Sequence, residues 1–391
     1  MNRYSRITMS VHELALQRNK YKHLSDEEWR WFLQQVEGRE RTADKLPTFA
    51  AINDWWYPVR LSCEQCSSEE TARYKADLIS NLGFQVSNFV DLTAGYGVDT
   101  YFLSERFEHT DYVEQNEELC RIAKHNFGLR NQESGIRIYN STAEDFLASA
   151  GQYDLIFLDP ARRDSHGGKV FRLEDCTPNV VELLPKLLQH GKRLMIKLSP
   201  MLDISQAIKE LSAVNWDVHI VAVKNEVKEV LLLSRNTGIP EYRDTLPHIT
   251  AIDLAKKEQA FVFTREEERD CLLINGDASL TSGFLYEPNA AILKAGAYKL
   301  IAQRYGVQKL DINTHLYASD KLIENFPGRV WKIDERQESR EERQANIICR
   351  NYPLTPEQLK KKLRLKDGGD MYVIGCRVNG KPTLFYAARL A

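Results

Sequence analysis

The sequence predicts an α/β protein built around a Rossmann-like, mostly parallel sheet. Two observations indicate this fold. Apolar strand patterns alternate with helical patterns from residue 89 to residue 235, and a glycine-containing loop follows the first of these strands. Alternation of this kind is typical of a parallel sheet covered by helices on both faces.

The length indicates more than one domain. A chain of 391 residues with 43% hydrophobic and 28% charged residues is expected to form two or three globular domains. Changes in pattern predict an N-terminal helical region at 1–75, the Rossmann-like domain at 76–240, and two α+β regions at 241–320 and 321–391. A segment with Gly238, Pro240 and Pro247 (236–250) has the composition of a linker. Beyond it we predict a helix from Pro288 to Tyr305 and, after about residue 320, a small α+β unit with antiparallel pairing and a hairpin that turns at Asn379-Gly380.

Two capping boxes mark helices in the N-terminal region. Ser25 and Glu28 open a helix at Asp26–Val36 with an apolar stripe, and Ser67 with Glu70 opens a helix that runs to about Asn81. The second helix directly precedes the first strand of the sheet. It is interpreted as a lid over a ligand site, or alternatively as a capped packing helix.

The next region supplies the sheet. We predict strands at 88–92, 110–114, 136–139, 153–159, 193–198, 217–223 and 228–234, and helices at 98–107, 117–130, 143–149, 178–190 and 203–212. Only the short polar segment 224–228 joins the last two strands, so they should form a hairpin with an antiparallel seventh strand. That ending is unlike dinucleotide dehydrogenases and fits the class I methyltransferase sheet.

The loop at 89–99 predicts the cofactor. A strand ends at Asp91, the chain turns through Gly95 and Gly97, and a second strand about 20 residues later ends in Glu114. The third glycine of the dinucleotide fingerprint is missing. Asp91 would repel a pyrophosphate but would help to hold an amine. The predicted cofactor is therefore S-adenosylmethionine, bound by Asp91, Thr93, Gly95, Gly97 and Glu114.

A second acidic segment follows the third strand. Glu144 or Asp145 is predicted to accept a hydrogen bond from the adenine amino group of the cofactor. The alternative is structural, with Thr142 capping a short helix and Asp145 reciprocating.

The fourth strand leads into Asp159-Pro160-Ala161-Arg162 at the carboxyl edge of the sheet, where open α/β sheets bind ligands. This tetrapeptide resembles the Asp-Pro-Pro signatures of nucleic-acid methyltransferases, whose polar groups orient a base amino or imino group. Asp159, Pro160 and Arg162 are the candidate catalytic residues. Arg162 replaces the usual aromatic residue, and a guanidinium group can also stack on a base or contact phosphate. Alternatively, Arg162 and Arg163 pair with nearby acids.

The cysteines argue against one mechanism. Methylation at C5 of a pyrimidine needs a thiol nucleophile, and the ends of the fourth and fifth strands have none, while Cys176 lies farther along the chain. Direct transfer to nitrogen or oxygen is therefore favoured. Cys63 and Cys66 have metal-ligand spacing but no matching second pair, so two reduced thiols and no metal are expected.

The C-terminal end is basic. Residues 350–391 contain nine Lys or Arg and three Asp or Glu, a net charge of +6 in a chain of net charge −2. Five of the basic residues cluster at 360–366, with Tyr352, Tyr372 and Tyr386 close in sequence. The cluster predicts contact with an RNA backbone, or alternatively an ordinary solvated helix face.

The chain resembles class I S-adenosylmethionine-dependent methyltransferases, and specifically the bacterial ones with a THUMP-like domain. The resemblance rests on these segments: Leu61–Glu69, Leu158–Asp164, Lys224–Glu229, Tyr286–Ala291 and Lys366–Asp370. It implies that 241–320 is ferredoxin-like and 321–391 is THUMP-like. It further implies a substrate among tRNA, rRNA or other RNA.

The sequence thus predicts a cytoplasmic methyltransferase of RNA. The N-terminus is polar, without a secretory pattern, and no apolar run is long enough to span a membrane. Two alternatives remain open: a methyltransferase of proteins or small molecules, and an RNA-binding protein that keeps the fold without catalysis.

Overall fold

The computed structural model describes residues 9–80, 87–130, 135–161, 172–235, 247–255, 260–272, 282–334 and 344–390. The helices are α1 Val11–Ala15, α2 Asp26–Thr42, α3 Pro47–Ala51, α4 Arg60–Gln65, α5 Glu69–Ser80, α6 Val98–Leu103, α7 Glu117–Gly128, α8 Ala143–Leu147, α9 Val180–His190, α10 Ile204–Glu210, α11 Arg265–Asp270, α12 Ala290–Ala295, α13 Leu300–Tyr305 and α14 Pro356–Leu363.

The strands of the first sheet are β1 Asn88–Asp91, β2 His109–Glu114, β3 Ile136–Asn140, β4 Leu155–Leu158, β5 Leu194–Leu198, β6 Trp216–Val223, β7 Glu226–Ser234, β8 His248–Asp253 and β9 Phe261–Thr264. Those of the second sheet are β10 Phe284–Pro288, β11 Gln308–Asp311, β12 Thr314–Ser319, β13 Gly328–Ile333, β14 Asn346–Arg350, β15 Met371–Val378 and β16 Lys381–Arg389. By internal contacts the chain divides into two compact units, Met1–Trp216 with Leu231–Arg243, and Asp217–Val230 with Asp244–Ala391.

The strand order of the first sheet is β3-β2-β1-β4-β5-β7-β6-β8-β9. The first five strands in this order are parallel to their neighbours. The predicted Rossmann-like class I methyltransferase sheet is therefore confirmed. Strands β8 and β9 follow it, with β8 parallel to β6 and β9 antiparallel to β8. Because β8 begins at His248, the predicted linker at 236–250 was wrong at its end; residues 236–246 lie outside the described part of the chain.

The hairpin between β6 and β7 is tighter than predicted. Lys224 and Asn225 have φ angles of 53° and 62°, and positive φ at both central residues defines a type I′ turn. A turn of this type joins antiparallel neighbours, which confirms the antiparallel seventh strand. Strand β7 begins at Glu226 rather than at residue 228.

The register of the parallel strands positions the site. Asp91 at the end of β1 is the partner of Tyr112 on β2 and of Phe157 on β4, and Leu158 is the partner of Ile196 on β5. The carboxyl ends of these strands therefore lie at one edge of the sheet, where ligands bind in open α/β proteins.

The N-terminal helices pack as the sequence indicates. The capping box of Ser25 and Glu28 is formed at α2, and the predicted stripe contributes Trp29, Phe32 and Val36 to a buried cluster. The predicted box at Ser67 was wrong. Ser68 instead accepts the hydrogen bond at the start of α5, from the backbone N–H of Thr71 at 3.3 Å.

The second unit contains a sheet in the order β11-β12-β10-β13-β16-β15-β14. Its pairs are antiparallel except β14 with β15, which are parallel and joined through α14. The expectation of antiparallel pairing was therefore wrong for that one pair. Asn379 and Gly380 form the predicted β15–β16 turn, with φ angles of 47° and 79°. The Asn379 N–H donates to Leu310 O at 3.0 Å, so the sheet curls and brings this turn to β11.

One predicted helix is divided. A continuous helix from Pro288 to Tyr305 was expected, but Pro288 ends β10 and Asn289 caps α12, accepting from the N–H of Ile292 at 3.0 Å. Gly296 then ends α12 in the left-handed region at φ 82°. The described residues contain no helix that is both long and apolar enough to cross a membrane.

Candidate functional site

The loop between β1 and α6 contains two glycines with different environments. Both have positive φ, 56° at Gly95 and 81° at Gly97. A Cβ at Gly97 would lie 2.9 Å from Phe127 Cζ, whereas a Cβ at Gly95 would have Thr93 O at 3.9 Å as its nearest neighbour. Gly97 therefore allows close packing below the loop, and Gly95 leaves open space where a ligand can approach the backbone.

The acid at the end of β2 is joined to this loop. The Glu114 carboxylate accepts hydrogen bonds from the backbone N–H of Gly95 at 2.9 Å and of Asn116 at 2.8 Å. The Tyr112 hydroxyl donates to Gly95 O at 2.5 Å. The predicted pairing of a glycine loop with an acid about 20 residues later is thus present, and each carboxylate oxygen has capacity to accept a further bond.

Asp91 is buried at the end of β1, with 1% of its surface exposed. It accepts from Thr100 Oγ1 at 2.7 Å and from the Thr93 N–H at 3.1 Å. Burial raises the pKa of Asp91 to about 8, against the hydrogen bond from Thr100 and with a contribution from the nearby Asp99 carboxylate. A cation arriving beside Asp91 would favour its ionised form.

Thr93 connects the loop to the end of β4. Its hydroxyl oxygen accepts from the backbone N–H of Asp159 at 2.6 Å. The Asp159 side chain is 36% exposed and forms an ion pair with Lys197 from the end of β5. Pro160 is buried, and Arg162 lies outside the described residues. The structure therefore brings Asp91, Thr93 and Asp159 together at one edge.

A charged cluster beside these residues was missed by the sequence analysis. Asp99 lies 3.1 Å from Lys75 Nζ and 3.7 Å from Lys197 Nζ, and it accepts from Ser67 Oγ at 2.6 Å. Burial alone would raise the pKa of Asp99, but the two ammonium groups hold it below its ordinary value. The position of Lys197 at a strand end was the available signal. Its partners, however, come from segments more than 30 residues away, which no local pattern reveals.

The acidic segment after β3 is exposed. Thr142 caps α8 by accepting from the Asp145 N–H at 3.1 Å, so the structural alternative is present, although the described contacts include no reciprocal bond from the Asp145 side chain. Glu144 and Asp145 extend into solvent. A separate open depression of about 500 Å³ lies at the start of α7, lined by Asn116, Glu117, Glu118 and Arg121.

The N-terminal region contacts the glycine loop directly. Trp55 Nε1 donates to the Tyr96 hydroxyl at 2.8 Å, and that hydroxyl donates to Trp56 O at 3.2 Å. Tyr96 lies between the two glycines, so residues 55–56 hold the loop from the side of the N-terminal helices.

The cysteine pair is inert in this setting. Burial raises the pKa of Cys63 to about 12 and also raises that of Cys66. All seven cysteines are free thiols. Within the described ranges no group of three or more His, Cys, Asp or Glu residues is arranged to hold a metal ion.

In the second unit, α14 and the turn after it present basic side chains to solvent. Those exposed are Lys361, Lys362, Arg364 and Lys366, while Lys360 pairs with Asp367 at 2.5 Å. The three tyrosines noted in the sequence are half-buried and pack against the apolar clusters of this unit. They therefore serve the core of the unit and do not form an exposed stacking surface.

Comparison with known proteins identifies the family. Family models match residues 284–327 as a ferredoxin-like domain and residues 322–389 as THUMP domain-like. A crystal structure of a protein assigned as a methyltransferase, from Porphyromonas gingivalis W83, matches with a TM-score of 0.83 at 32% identity, covering 99% of this chain and 96% of that one. An uncharacterized S-adenosylmethionine-dependent methyltransferase of Mycobacterium tuberculosis, present in two strains, is 21% identical over 360 residues, which is 89% of this chain and 92% of the relative. The chain belongs to the S-adenosylmethionine-dependent methyltransferases with a THUMP-like C-terminal region.

Proposed function

We propose that this enzyme transfers the methyl group of S-adenosylmethionine directly to a nitrogen or an oxygen of an RNA base. The observation that supports this most is the position of Asp159. Its partly exposed carboxylate lies at the carboxyl edge of the sheet, and its backbone is bonded to Thr93 of the cofactor loop. A hydrogen-bond acceptor beside a cofactor loop is suited to orient a base amino or imino group.

The residues of the loop fit the cofactor. Open space above Gly95 allows a ligand to approach the backbone, and Glu114 has oxygens free to accept from ribose hydroxyls. We assign Asp91 and Thr93 to the methionine end, Gly95, Gly97 and Glu114 to the ribose and its linkage, and Glu144 and Asp145 to the adenine end. Of these, Gly97 acts through the packing of the loop.

S-adenosylmethionine supplies a methyl group bonded to a positively charged sulfur. The Asp159 carboxylate and the Pro160 carbonyl accept hydrogen bonds from the target group, which raises the electron density on the attacking atom. The bond from nitrogen or oxygen to carbon would form as the carbon–sulfur bond breaks, leaving S-adenosylhomocysteine, and the acceptor would release its proton to water. Arg162 would contact the base or its phosphate.

The described strand ends favour this direct route over a cysteine adduct. Ala161 and Ser199 are the residues near the ends of β4 and β5, and neither strand end places a thiol at this edge within the part of the chain that the structure describes. Cys176 is buried, and its thiol donates to Arg172 O at 3.5 Å. A buried, hydrogen-bonded thiol is a poor nucleophile.

The THUMP-like match and the exposed lysines support RNA as the acceptor. Lys361 and Lys362 are exposed on α14 in a segment of net charge +6, which is suited to a phosphate backbone. tRNA and rRNA are the proposed substrates, and the cytoplasm is the proposed location. Replacing both lysines by Glu should weaken binding of bulk tRNA and lessen its salt dependence, while Lys186→Glu on the exposed face of α9 should leave binding unchanged.

The main test compares modified nucleosides by mass spectrometry in RNA from wild-type cells, deletion cells and deletion cells that express Asp159→Asn. We expect one methylated nucleoside to be absent from the deletion strain and to return with the wild-type gene but not with Asp159→Asn. The control is Asp154→Asn, at the opposite edge of the same sheet, where Asp154 pairs with Lys192 at 2.7 Å.

Other outcomes would identify the rivals. An unchanged nucleoside profile, with radioactive methyl groups appearing in protein or small molecules, would overturn RNA as the acceptor. Failure of the purified protein to bind S-adenosylmethionine in calorimetry, with RNA binding retained, would indicate a non-catalytic RNA-binding protein.

A further inference from the structure

Five charged side chains meet at the carboxyl edge of the first sheet, three carboxylates and two ammonium groups. They are Asp91, Asp99, Asp159, Lys75 and Lys197. With all five groups ionised, the state that a cation beside Asp91 favours, the cluster has a net charge of −1. S-adenosylmethionine, with an ammonium, a sulfonium and a carboxylate, has a net charge of +1. The whole cluster is therefore complementary to the cofactor, although it also contains two cations.

The two lysines differ in access. Lys75 is fully buried, with none of its side chain exposed, and lies 3.1 Å from Asp99 Oδ1. Lys197 is 12% exposed, and its contact with the 36% exposed Asp159 places this ion pair at the rim of the cluster. Lys197 is thus the cation of the cluster that an arriving ligand can contact, while Lys75 neutralises Asp99 from inside.

Ser67 completes the arrangement around Lys197. The Lys197 ammonium donates to Ser67 Oγ at 3.0 Å, and Ser67 Oγ donates to Asp99 Oδ2 at 2.6 Å. Ser67 immediately precedes the cap of α5, the predicted lid helix. Because its single O–H is donated to Asp99, Ser67 acts on Lys197 as an acceptor that orients the ammonium. The partly exposed Lys197 ammonium is the donor that suits a carboxylate.

The methionine end of S-adenosylmethionine has an ammonium and a carboxylate on one carbon atom, so it presents the same two charges as the partly exposed Lys197–Asp159 pair. We propose that Lys197, oriented by Ser67, binds the methionine carboxylate of the cofactor, and that this binding releases Asp159 from Lys197. Asp159 then becomes available to the acceptor only when the cofactor is bound. This inference depends on the cofactor assignment in the proposed function and is independent of the acceptor.

The test is a pair of ligands that differ only in the carboxylate. Calorimetry measures the Kd of S-adenosylmethionine and of decarboxylated S-adenosylmethionine for the full chain and for Lys197→Met. We expect the wild type to prefer the carboxylated ligand by about tenfold or more, equal to about 1.4 kcal/mol. Lys197→Met should abolish that preference by weakening only the carboxylated ligand, while the decarboxylated ligand binds within about twofold of wild type.

Three further variants make the result specific. Lys197→Arg should retain part of the preference, because a guanidinium group also binds carboxylate, and Ser67→Ala should reduce it a few-fold. Lys192→Met makes the same substitution at the opposite edge, in an exposed pair with Asp154, and should leave both Kd values unchanged. Melting temperatures establish that each variant is folded; should Lys197→Met not fold, Lys197→Arg and Ser67→Ala supply the comparison.

The proposal is overturned if the variants at 197 and 67 keep the wild-type preference, or if they weaken both ligands equally, because the pair would then be structural. A wild type that binds neither ligand overturns both this inference and the cofactor assignment. RNA that shows no change in methylation would contradict only the acceptor in the proposed function, since the ligand comparison involves no RNA.

Discussion

The buried carboxyl group of Asp91 should make the stability of the first unit depend on pH in an unusual direction. Asp91 is 1% exposed, and burial raises its pKa to about 8, while an unfolded aspartate titrates near 4. Between these values the folded state retains a proton that the unfolded state releases. The stability from this group is therefore fully present below about pH 4 and is lost as the pH rises toward 8.

The slope of this effect is about 1.4 kcal/mol per pH unit. Asparagine cannot ionise, so the stability of Asp91→Asn should not fall with rising pH through this group. The unfolding free energy of Asp91→Asn minus that of wild type should rise by about 2–3 kcal/mol between pH 5.5 and pH 7.5. A constant offset of about 1 kcal/mol from altered hydrogen bonds to Thr100 and Thr93 would leave this slope intact.

Urea unfolding without cofactor, followed by tryptophan fluorescence, measures the difference. Five of the six tryptophans (29, 31, 55, 56 and 216) lie in the unit that contains Asp91. Asp154→Asn is the control. Its carboxyl is buried, but Lys192 and backbone N–H groups hold its pKa below the ordinary value, so its difference from wild type should be flat over this range. A flat difference for Asp91→Asn would refute the reasoning.

Three other substitutions test the loop. Gly97→Ala should lower the unfolding free energy by about 1–3 kcal/mol in urea titrations, because the residue has φ 81° and its Cβ would meet Phe127 at 2.9 Å; an unchanged midpoint would contradict this packing role. Trp55→Phe should lower the unfolding free energy by about 1 kcal/mol and weaken S-adenosylhomocysteine binding, since the Tyr96 hydroxyl loses its donor. A wild-type affinity in calorimetry would contradict the role of Trp55 in holding the loop. Glu114→Gln should raise the Kd of S-adenosylhomocysteine about tenfold. Ligands of the 5′-methylthiouridine type, which lack adenine, should lose affinity by a similar factor, because the ribose contact is common to both.

Local features of this protein were predictable because the signals are local. The capping box at Ser25, the Asn379-Gly380 turn and the hairpin between β6 and β7 all follow from residues within a few positions of one another. The errors arose where two local signals competed. Pro288 suits a helix start as well as a strand end. Pairing with the adjoining strand β13 places it at the end of strand β10.

The candidate site also has features that the sequence predicts and features that it does not. Sequence spacing placed Asp91, Gly95 and Glu114 together. The structure shows Glu114 hydrogen-bonded to the Gly95 N–H, and Asp91 hydrogen-bonded to the Thr93 N–H of the same loop. It also placed Asp159 at the carboxyl edge, because parallel strands that run in one direction end at one edge. The different functions of the two glycines were not visible, since both satisfy the same backbone requirement.

The sequence by itself determined the fold class, the family resemblance and the predicted cofactor, because strand periodicity, turn residues and the loop motif act over short stretches of chain. Only the tertiary structure decided which charges meet at the edge of the sheet. Ser67, Asp99 and Lys197 come from segments about 30 and 100 residues apart, and their contacts exist only once α5, α6 and β5 are packed together. A buried ion pair depends on that packing for its low exposure and its partners, so it leaves no pattern in the sequence.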